Sequence, residues 1–374
     1  MRIIIVGTAY PYRGGLAAFN ERLAMQFQSE GHEVEMVTFT MQYPSFLFPG
    51  KTQFSSDSAP ENLKITRKIN SVNPLNWIKT GVEIGRKNAD LVIFCYWMSF
   101  MAPCFGTIAR QIHKNKKTKC IGLIHNIMPH EPSILDKLFP QYFVRQMDGF
   151  VALSQSVVDD IARIDKQNKP KAFSPHPIYD HYGELLNKEM ACAKLHLDTT
   201  QNYLLFFGFI RAYKGLDLLI AAMADERVRH LGVKLIVAGE FYEDEAVYKK
   251  QMEQLGVSET IVLHNDFISN DAVNAYFSVA DMVVLPYKTA TQSGVTQVAF
   301  HFEKPVLVSN VGGLGEIVKH GEMGYSVVPN AQAIADGIVD FYKNNRNADF
   351  VKCVRQEKIK YGWDKMTREI MDVH

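Results

Sequence analysis

The chain has 374 residues, with 41 lysines and arginines against 40 aspartates and glutamates, for a formal net charge of +1. One hydrophobic core rarely serves more than roughly 250–300 residues, so two domains are expected, and the balanced charge offers no broad field for nucleic acid. Five scattered cysteines with no Cys-x-x-Cys pair suggest neither a disulfide framework nor a cysteine zinc site, and fit a reduced, cytoplasmic protein.

At the start, Arg2–Val6 is a short β-branched run of the kind buried on both faces of a parallel sheet. A loop with Gly7, Gly14 and Gly15 follows, then helical spacing over Leu16–Glu30 stopped by Gly31, then a strand at Glu33–Phe39, which completes a β-α-β unit. Further strands are predicted at Asp90–Tyr96, Lys119–His125 and Gly149–Ser154, with helices around Phe105–His113 and from Gln155. The polar, proline-rich stretch Lys166–Pro177 reads as a connector. In the second half, strands are predicted at Tyr203–Phe207, Lys234–Ala238, Ile261–Leu263, Met282–Leu285 and Pro305–Ser309, with helices between them. Strands alternating with helices predict an α/β protein of two Rossmann-like domains, with ligand loops at the strand C-terminal ends facing a cleft. No stretch reaches the roughly 18 apolar residues that span a bilayer, so a soluble protein is expected, attached at most to the inner face of a membrane.

Two segments carry the chemistry. In Tyr203-Leu-Leu-Phe-Phe-Gly208-Phe-Ile-Arg211-Ala-Tyr-Lys214-Gly215 a strand runs into a cationic loop and a helix start. Ala280-Asp-Met-Val-Val-Leu-Pro286, followed by Ser293-Gly294-Val295-Thr-Gln297, repeats the arrangement with a small-residue turn. Helix N-termini present N–H groups and partial positive charge, and Arg211 and Lys214 add full charges, so the pair describes a diphosphate site.

With these segments, the chain resembles retaining glycosyltransferases of the two-Rossmann-domain (GT-B) type, family 4, over nearly its whole length. The Gly208–Gly215 loop is similar to that family's phosphate loop, Ala280–Pro286 to its strand before the donor loop, and Lys304-Pro305-Val-Leu-Val-Ser-Asn310-Val-Gly312-Gly313-Leu-Gly-Glu316 to its closing segment. The resemblance implies a donor domain over 179–352, an acceptor-side domain over 1–178, and a C-terminal helix, 353–374, packing back on the latter. It implies a nucleotide diphosphate sugar as donor, a glycan or lipid-linked acceptor, retention of configuration, and no metal or other cofactor. Arg211 and Lys214 would hold the diphosphate with the amides of Ser293, Gly294 and Val295, and His125 would contact the sugar. Gly15, Gly208, Glu240, Phe267, Ile268 and Gln297 would complete the donor site. Fixed cations and amides there stabilise the charge that develops on the leaving phosphate.

The sequence departs from the family in three places. The family's two donor-loop glutamates, eight positions apart, are replaced by Gln297 and by a position among Thr289–Thr291; Arg211 falls about two residues late; and Gly315 stands where proline is usual. Glutamine can still pair with ribose hydroxyls. A non-catalytic donor-fold binding subunit of a glycan-assembly complex is therefore the alternative. A nicotinamide dehydrogenase is weaker, because Gly7–Gly14 lacks the compact Gly-x-Gly-x-x-Gly turn.

Other features have plainer readings. His130-Glu131, His176 and His181 lack ligand spacing and read as surface or linker residues, and Glu243-Asp244-Glu245 as a solvated first turn. The aromatic stretch Tyr43–Lys51 reads as a loop packed on its own domain or as an apolar edge meeting a lipid-linked acceptor. The cluster Lys114–Lys119 reads as solvated charge or as a patch for anionic headgroups, so a joint peripheral membrane role for both segments is an expectation to examine.

Overall fold

The computed structural model of the protein describes residues 1–44, 52–55, 58–127, 134–290 and 293–374. The chain forms two compact units, Met1–Pro177 with Gly362–His374, and Ile178–Tyr361.

The first unit is built on seven strands: β1 (Arg2–Val6), β2 (Glu33–Met41), β3 (Lys64–Asn70), β4 (Leu91–Tyr96), β5 (Lys119–Ile124), β6 (Gly149–Ala152) and β7 (Lys171–Phe173). They lie in the order β3-β2-β1-β4-β5-β6-β7, all parallel. The central strands are apolar runs because helices cover both faces, and every residue of β4 is buried. Ile3 sits opposite both Val34 and Leu91, which fixes the register at the centre of the sheet.

Several elements here escape sequence reading. β3 carries Lys64, Arg67 and Lys68, and only Ile69 on it is buried, so it shows no apolar alternation. The helix Pro74–Arg86 after it is started by Asn73, whose side chain accepts the Leu75 and Asn76 amides. The proline-rich connector also contains β7, a three-residue edge strand bonded to β6.

The second unit carries β8 (Tyr203–Phe207), β9 (Lys234–Ala238), β10 (Ile261–His264), β11 (Met282–Leu285), β12 (Val306–Ser309) and β13 (Gly324–Val327), in the parallel order β10-β9-β8-β11-β12-β13. The helix Asn347–Glu357 belongs to this unit, with Phe350 packed edge-on to Tyr325 at 5.3 Å. The chain therefore leaves this unit after Tyr361, nine residues beyond the expected boundary at 353.

From Gly362 onward the chain is part of the first unit. In the helix Trp363–Asp372 the residues Trp363, Met366, Thr367 and Ile370 are buried. Thr367 donates to the Glu30 carboxylate at 2.7 Å, Trp363 lies 5.1 Å from the Phe19 ring, and the Arg22 guanidinium lies over the indole at 5.1 Å from its centroid.

Because all strands of a sheet are parallel, their C-terminal ends share one edge. Tyr43 follows β2 and lies at that edge of the first sheet, whereas Lys114–Lys119 leads into β5 at the opposite edge. Tyr43 and the basic cluster thus lie at opposite edges of the sheet, and no surface shared by them supports the joint role; residues 45–51 of the aromatic stretch lie outside the described residues. No helix among the described residues is long and apolar enough to cross a membrane.

Candidate phosphate-binding site

The second unit's site is assembled at the C-terminal edge of β8, β9 and β11. β8 ends at Phe207, and the chain turns through Gly208, whose φ of +97° favours glycine. The Gly208 amide is held by Ala238 O at 2.9 Å and the Ile210 amide by Glu240 O at 2.9 Å, so the loop continues along the end of β9. Gly239 is required beneath it, since a β-carbon there would overlap the Gly208 carbonyl. Ala212–Lys214 then forms a single 3₁₀ turn, and Gly215 leads into the helix Leu216–Met223.

This turn displays the two cations. Arg211 is half-buried and its guanidinium lies 4.9 Å from the Tyr242 ring centroid, in a series of rings in which Tyr242 meets Phe209 at 4.5 Å and Phe209 meets Phe267 at 6.3 Å. Lys214 is buried, 8% exposed, with its ammonium 5.6 Å from the Tyr287 ring centroid. Burial, with the Arg211 charge adding to it, brings its pKa down to about 7. The ammonium nitrogen lies 3.1 Å from where a Gly208 β-carbon would be, and Val295 Cγ2 lies 3.9 Å from the same point. Folding thus brings Gly208, Lys214 and Val295 together from two distant segments.

The second segment contributes the helix Gly294–His301. Ser293 caps it, its hydroxyl accepting the Val295 amide at 3.3 Å. Gly294 is packed against Tyr179, whose ring would stand 3.0 Å from a β-carbon there. Gln297 is completely buried, and among the described residues neither end of its amide has a hydrogen-bond partner. Of the remaining expected donor residues, Glu240 is buried just after Gly239, and Phe267 and Ile268 lie half-buried between β10 and the helix Asn270–Val279. Residue 291, one of the positions where the missing carboxylate would fall, is outside the described residues.

Sequence reading missed several supporting groups. Glu243 is not simply part of a solvated turn: its carboxylate accepts the Ala212 amide at 2.7 Å and the Tyr248 hydroxyl at 3.1 Å, while Asp244 caps the helix Glu245–Leu255. Lys288 donates its amide to Tyr213 O at 2.7 Å and its ammonium to Asp217 at 2.8 Å, joining the two loops. Gly315, which departs from the family's proline, lies against Asn310, whose side-chain oxygen a β-carbon would overlap. The Glu243–Ala212, Lys288–Tyr213 and Lys288–Asp217 contacts join residues far apart in sequence, which no local pattern signals.

In the first unit, Gly15 opens the helix Gly15–Ser29, preceded by Gly14 at φ +103°. His125 follows β5, with its amide on Tyr96 O at 2.8 Å. His176, read as a surface or linker residue, is buried beside it: the rings are 6.2 Å apart, and Phe19 packs edge-on to both, at 4.8 Å from His125 and 4.9 Å from His176. Burial brings the pKa of His125 down to about 3, with His176 contributing, and that of His176 to about 4, so both are neutral at pH 7. His130-Glu131 lies outside the described residues. One potential metal-ligand group occurs among the described residues, His113, Cys120 and Asp148; His113 Nε2 lies 3.2 Å from the Asp148 carboxylate, which also accepts the Cys120 amide at 2.7 Å.

Residues 187–357 match the family described as glycosyl transferases group 1. Over its whole length the chain is 25% identical to an uncharacterised glycosyltransferase of Methanocaldococcus jannaschii, of which it covers 98%. Among solved structures it is similar to sucrose-phosphate synthase from Thermosynechococcus elongatus, with a TM-score of 0.75 and 16% identity over 100% of this chain and 98% of that one. It is also similar to Anabaena HepE in complex with UDP and glucose, with a TM-score of 0.72 and 14% identity over 100% and 98%. The two parallel-sheet units have the GT-B glycosyltransferase fold, and the match over residues 187–357 supports a glycosyltransferase.

Proposed function

We propose that the protein transfers a hexose from a nucleoside diphosphate sugar to a glycan or lipid-linked acceptor, with retention of anomeric configuration and without a metal. The observation that carries this reading is the convergence of the Lys214 ammonium, the Arg211 loop and the capped N-terminus of the helix Gly294–His301 beside Gly208. Lys214 is buried and has no carboxylate partner among the described residues, an arrangement suited to a lysine whose counter-ion is a ligand phosphate. A diphosphate there restores the full ammonium charge. As the bond to the sugar breaks, negative charge grows on the leaving phosphate, and the ammonium and helix amides stabilise it without reorganising.

Gln297 takes the ribose in this reading, because its buried amide has donor and acceptor capacity that hydroxyls would satisfy. The rings of Phe209, Tyr242 and Phe267 flank the loop on the side proposed for the base. HepE, of similar fold, binds UDP and glucose, which fits a ligand of this class. In the first unit, His125 is the proposed contact to the transferred sugar, as a neutral imidazole able to share a hydrogen bond with a hydroxyl.

The test is thermal unfolding against UDP, GDP, ADP and their common sugar conjugates, for the wild type and Lys214→Ala, followed by sugar-transfer assays with the ligand that binds. Saturation at about a hundred times Kd adds roughly 2.7 kcal/mol of stability, a readily measured shift. A shift with one nucleotide that vanishes in the variant supports the proposal. No shift with any of them, or binding with no transfer and no donor hydrolysis, overturns it.

A further inference from the structure

Tyr287 is the first residue after Pro286, in the loop that leaves β11, and nothing in its local sequence marks it. It is 3% exposed, and its phenol is pushed well above its ordinary range by burial. Its ring centroid lies 5.6 Å from the Lys214 ammonium, and its hydroxyl lies 3.3 Å from the Ser293 hydroxyl. Ser293 in turn accepts the Val295 amide and caps the helix Gly294–His301. Tyr213, on the turn that carries Lys214, meets the Tyr287 ring edge-on at 6.1 Å. One side chain therefore touches both anion-binding elements, one through its ring and the other through its hydroxyl.

We propose that Tyr287 is a positioning residue that couples the cationic loop to the helix N-terminus, its ring holding the Lys214 ammonium and its hydroxyl fixing the Ser293 cap. This rests on the donor-site reading above, though the coupling itself exists without donor. The physical basis is twofold. An aromatic face attracts an ammonium electrostatically and more strongly where water is excluded, so the ring favours the charged form of the lysine and offsets part of its burial. A buried phenol with a hydroxyl partner fixes that partner's orientation. No other side chain described for this site reaches both Lys214 and the cap, so Tyr287 sets the distance between the two groups that grip the diphosphate.

The experiment uses the full chain with Tyr287→Phe, Tyr287→Leu, Ser293→Ala and the Phe/Ala double variant, each first checked for cooperative thermal unfolding. Without ligand, the Lys214 titration is followed by NMR of isotope-labelled lysine, assigned with Lys214→Met. The lysine should deprotonate at lower pH in Tyr287→Leu and at the wild-type pH in Tyr287→Phe. With UDP-glucose, GDP-mannose and ADP-glucose, whose diphosphates do not titrate near neutrality, affinity is measured from pH 6 to 9. The Phe variant should bind roughly three- to tenfold more weakly with an unshifted pH profile, and the Leu variant more weakly still with a profile displaced to lower pH. Tyr287→Phe and Ser293→Ala should not add in the double variant, because they cut the same link.

An unmoved or raised Lys214 titration in Tyr287→Leu overturns the inference whether or not a donor binds. Additive effects of Tyr287→Phe and Ser293→Ala overturn it as well. If the lysine titration moves as stated but the wild type binds none of the three nucleotide sugars, the coupling stands and the donor reading fails.

Discussion

Gly215 lies directly against Pro286: a β-carbon on Gly215 would overlap the Pro286 carbonyl oxygen. This contact, with the Lys288 amide on Tyr213 O, makes the loop after β8 and the loop after β11 one packed unit. Gly215→Ala meets that overlap and also a φ of +70°. The backbone conformation alone costs roughly 1–3 kcal/mol, so the variant should melt several degrees lower and lose nucleotide-sugar binding. Wild-type melting and binding would show that the loops part freely.

The low pKa of Lys214 has a stability consequence. Its folded value of about 7 lies below the ordinary 10.5, so the unfolded chain binds more protons between those pH values. The destabilisation is complete below about pH 7 and shrinks as pH rises toward 10.5. Lys214→Met should therefore melt higher than the wild type at pH 6–7, with the gap closing toward pH 10, while donor binding is lost. Calorimetry across that range checks it, and a lower melting temperature for the variant at pH 6.5 would contradict it.

His125 and His176 act at the other end of the scale. Both are held neutral, with folded pKa values of about 3 and about 4 against an ordinary 6.5. The unfolded chain binds more protons as pH falls below 6.5, so the stability from neutral burial is present above that pH and is lost toward pH 4. The slope is up to about 1.4 kcal/mol per pH unit for each histidine. Chemical denaturation between pH 6.5 and 5, above the range of ordinary carboxylates, should show this loss, and His176→Gln should flatten it.

The C-terminal helix stabilises the first unit through Trp363, which is 4% exposed and packed on Phe19. Trp363→Ala should cost about 3–5 kcal/mol in urea unfolding. Because Phe19 also packs on His125, the variant should weaken the histidine-dependent acid transition as well. A loss under about 1 kcal/mol would assign the helix a peripheral role.

Gln297→Leu separates ligand recognition from folding. The buried amide lacks protein partners among the described residues, so an apolar side chain of similar size should leave the ligand-free melting temperature equal or higher. Nucleotide-sugar affinity should fall by about 1–3 kcal/mol, as when a buried polar contact is lost. Isothermal titration checks the affinity. A large drop in ligand-free stability would show that the amide is satisfied within the protein.

The central strands of both sheets were legible because burial on two faces leaves an apolar run that no other element imitates at that length, as in Arg2–Val6 and Met282–Leu285. The edges were not. β3, rich in lysine and arginine, and the three-residue β7 are half-exposed, so their sequences answer to solvent and carry no period.

The sequence by itself determined the alternation of strands and helices, the two glycine loops and the cations placed on them, since each follows from local spacing and backbone freedom. Only the tertiary structure decided which groups serve those loops. Glu243 on the Ala212 amide, Lys288 across to Tyr213 and Asp217, and Tyr287 beneath Lys214 all meet through the order of strands β9, β8 and β11. His176 beside His125 likewise depends on where β7 returns the chain. Sequence periodicity reports which side of an element is buried, but not which distant side chain it is buried against, because that depends on how the strands are ordered in the sheet.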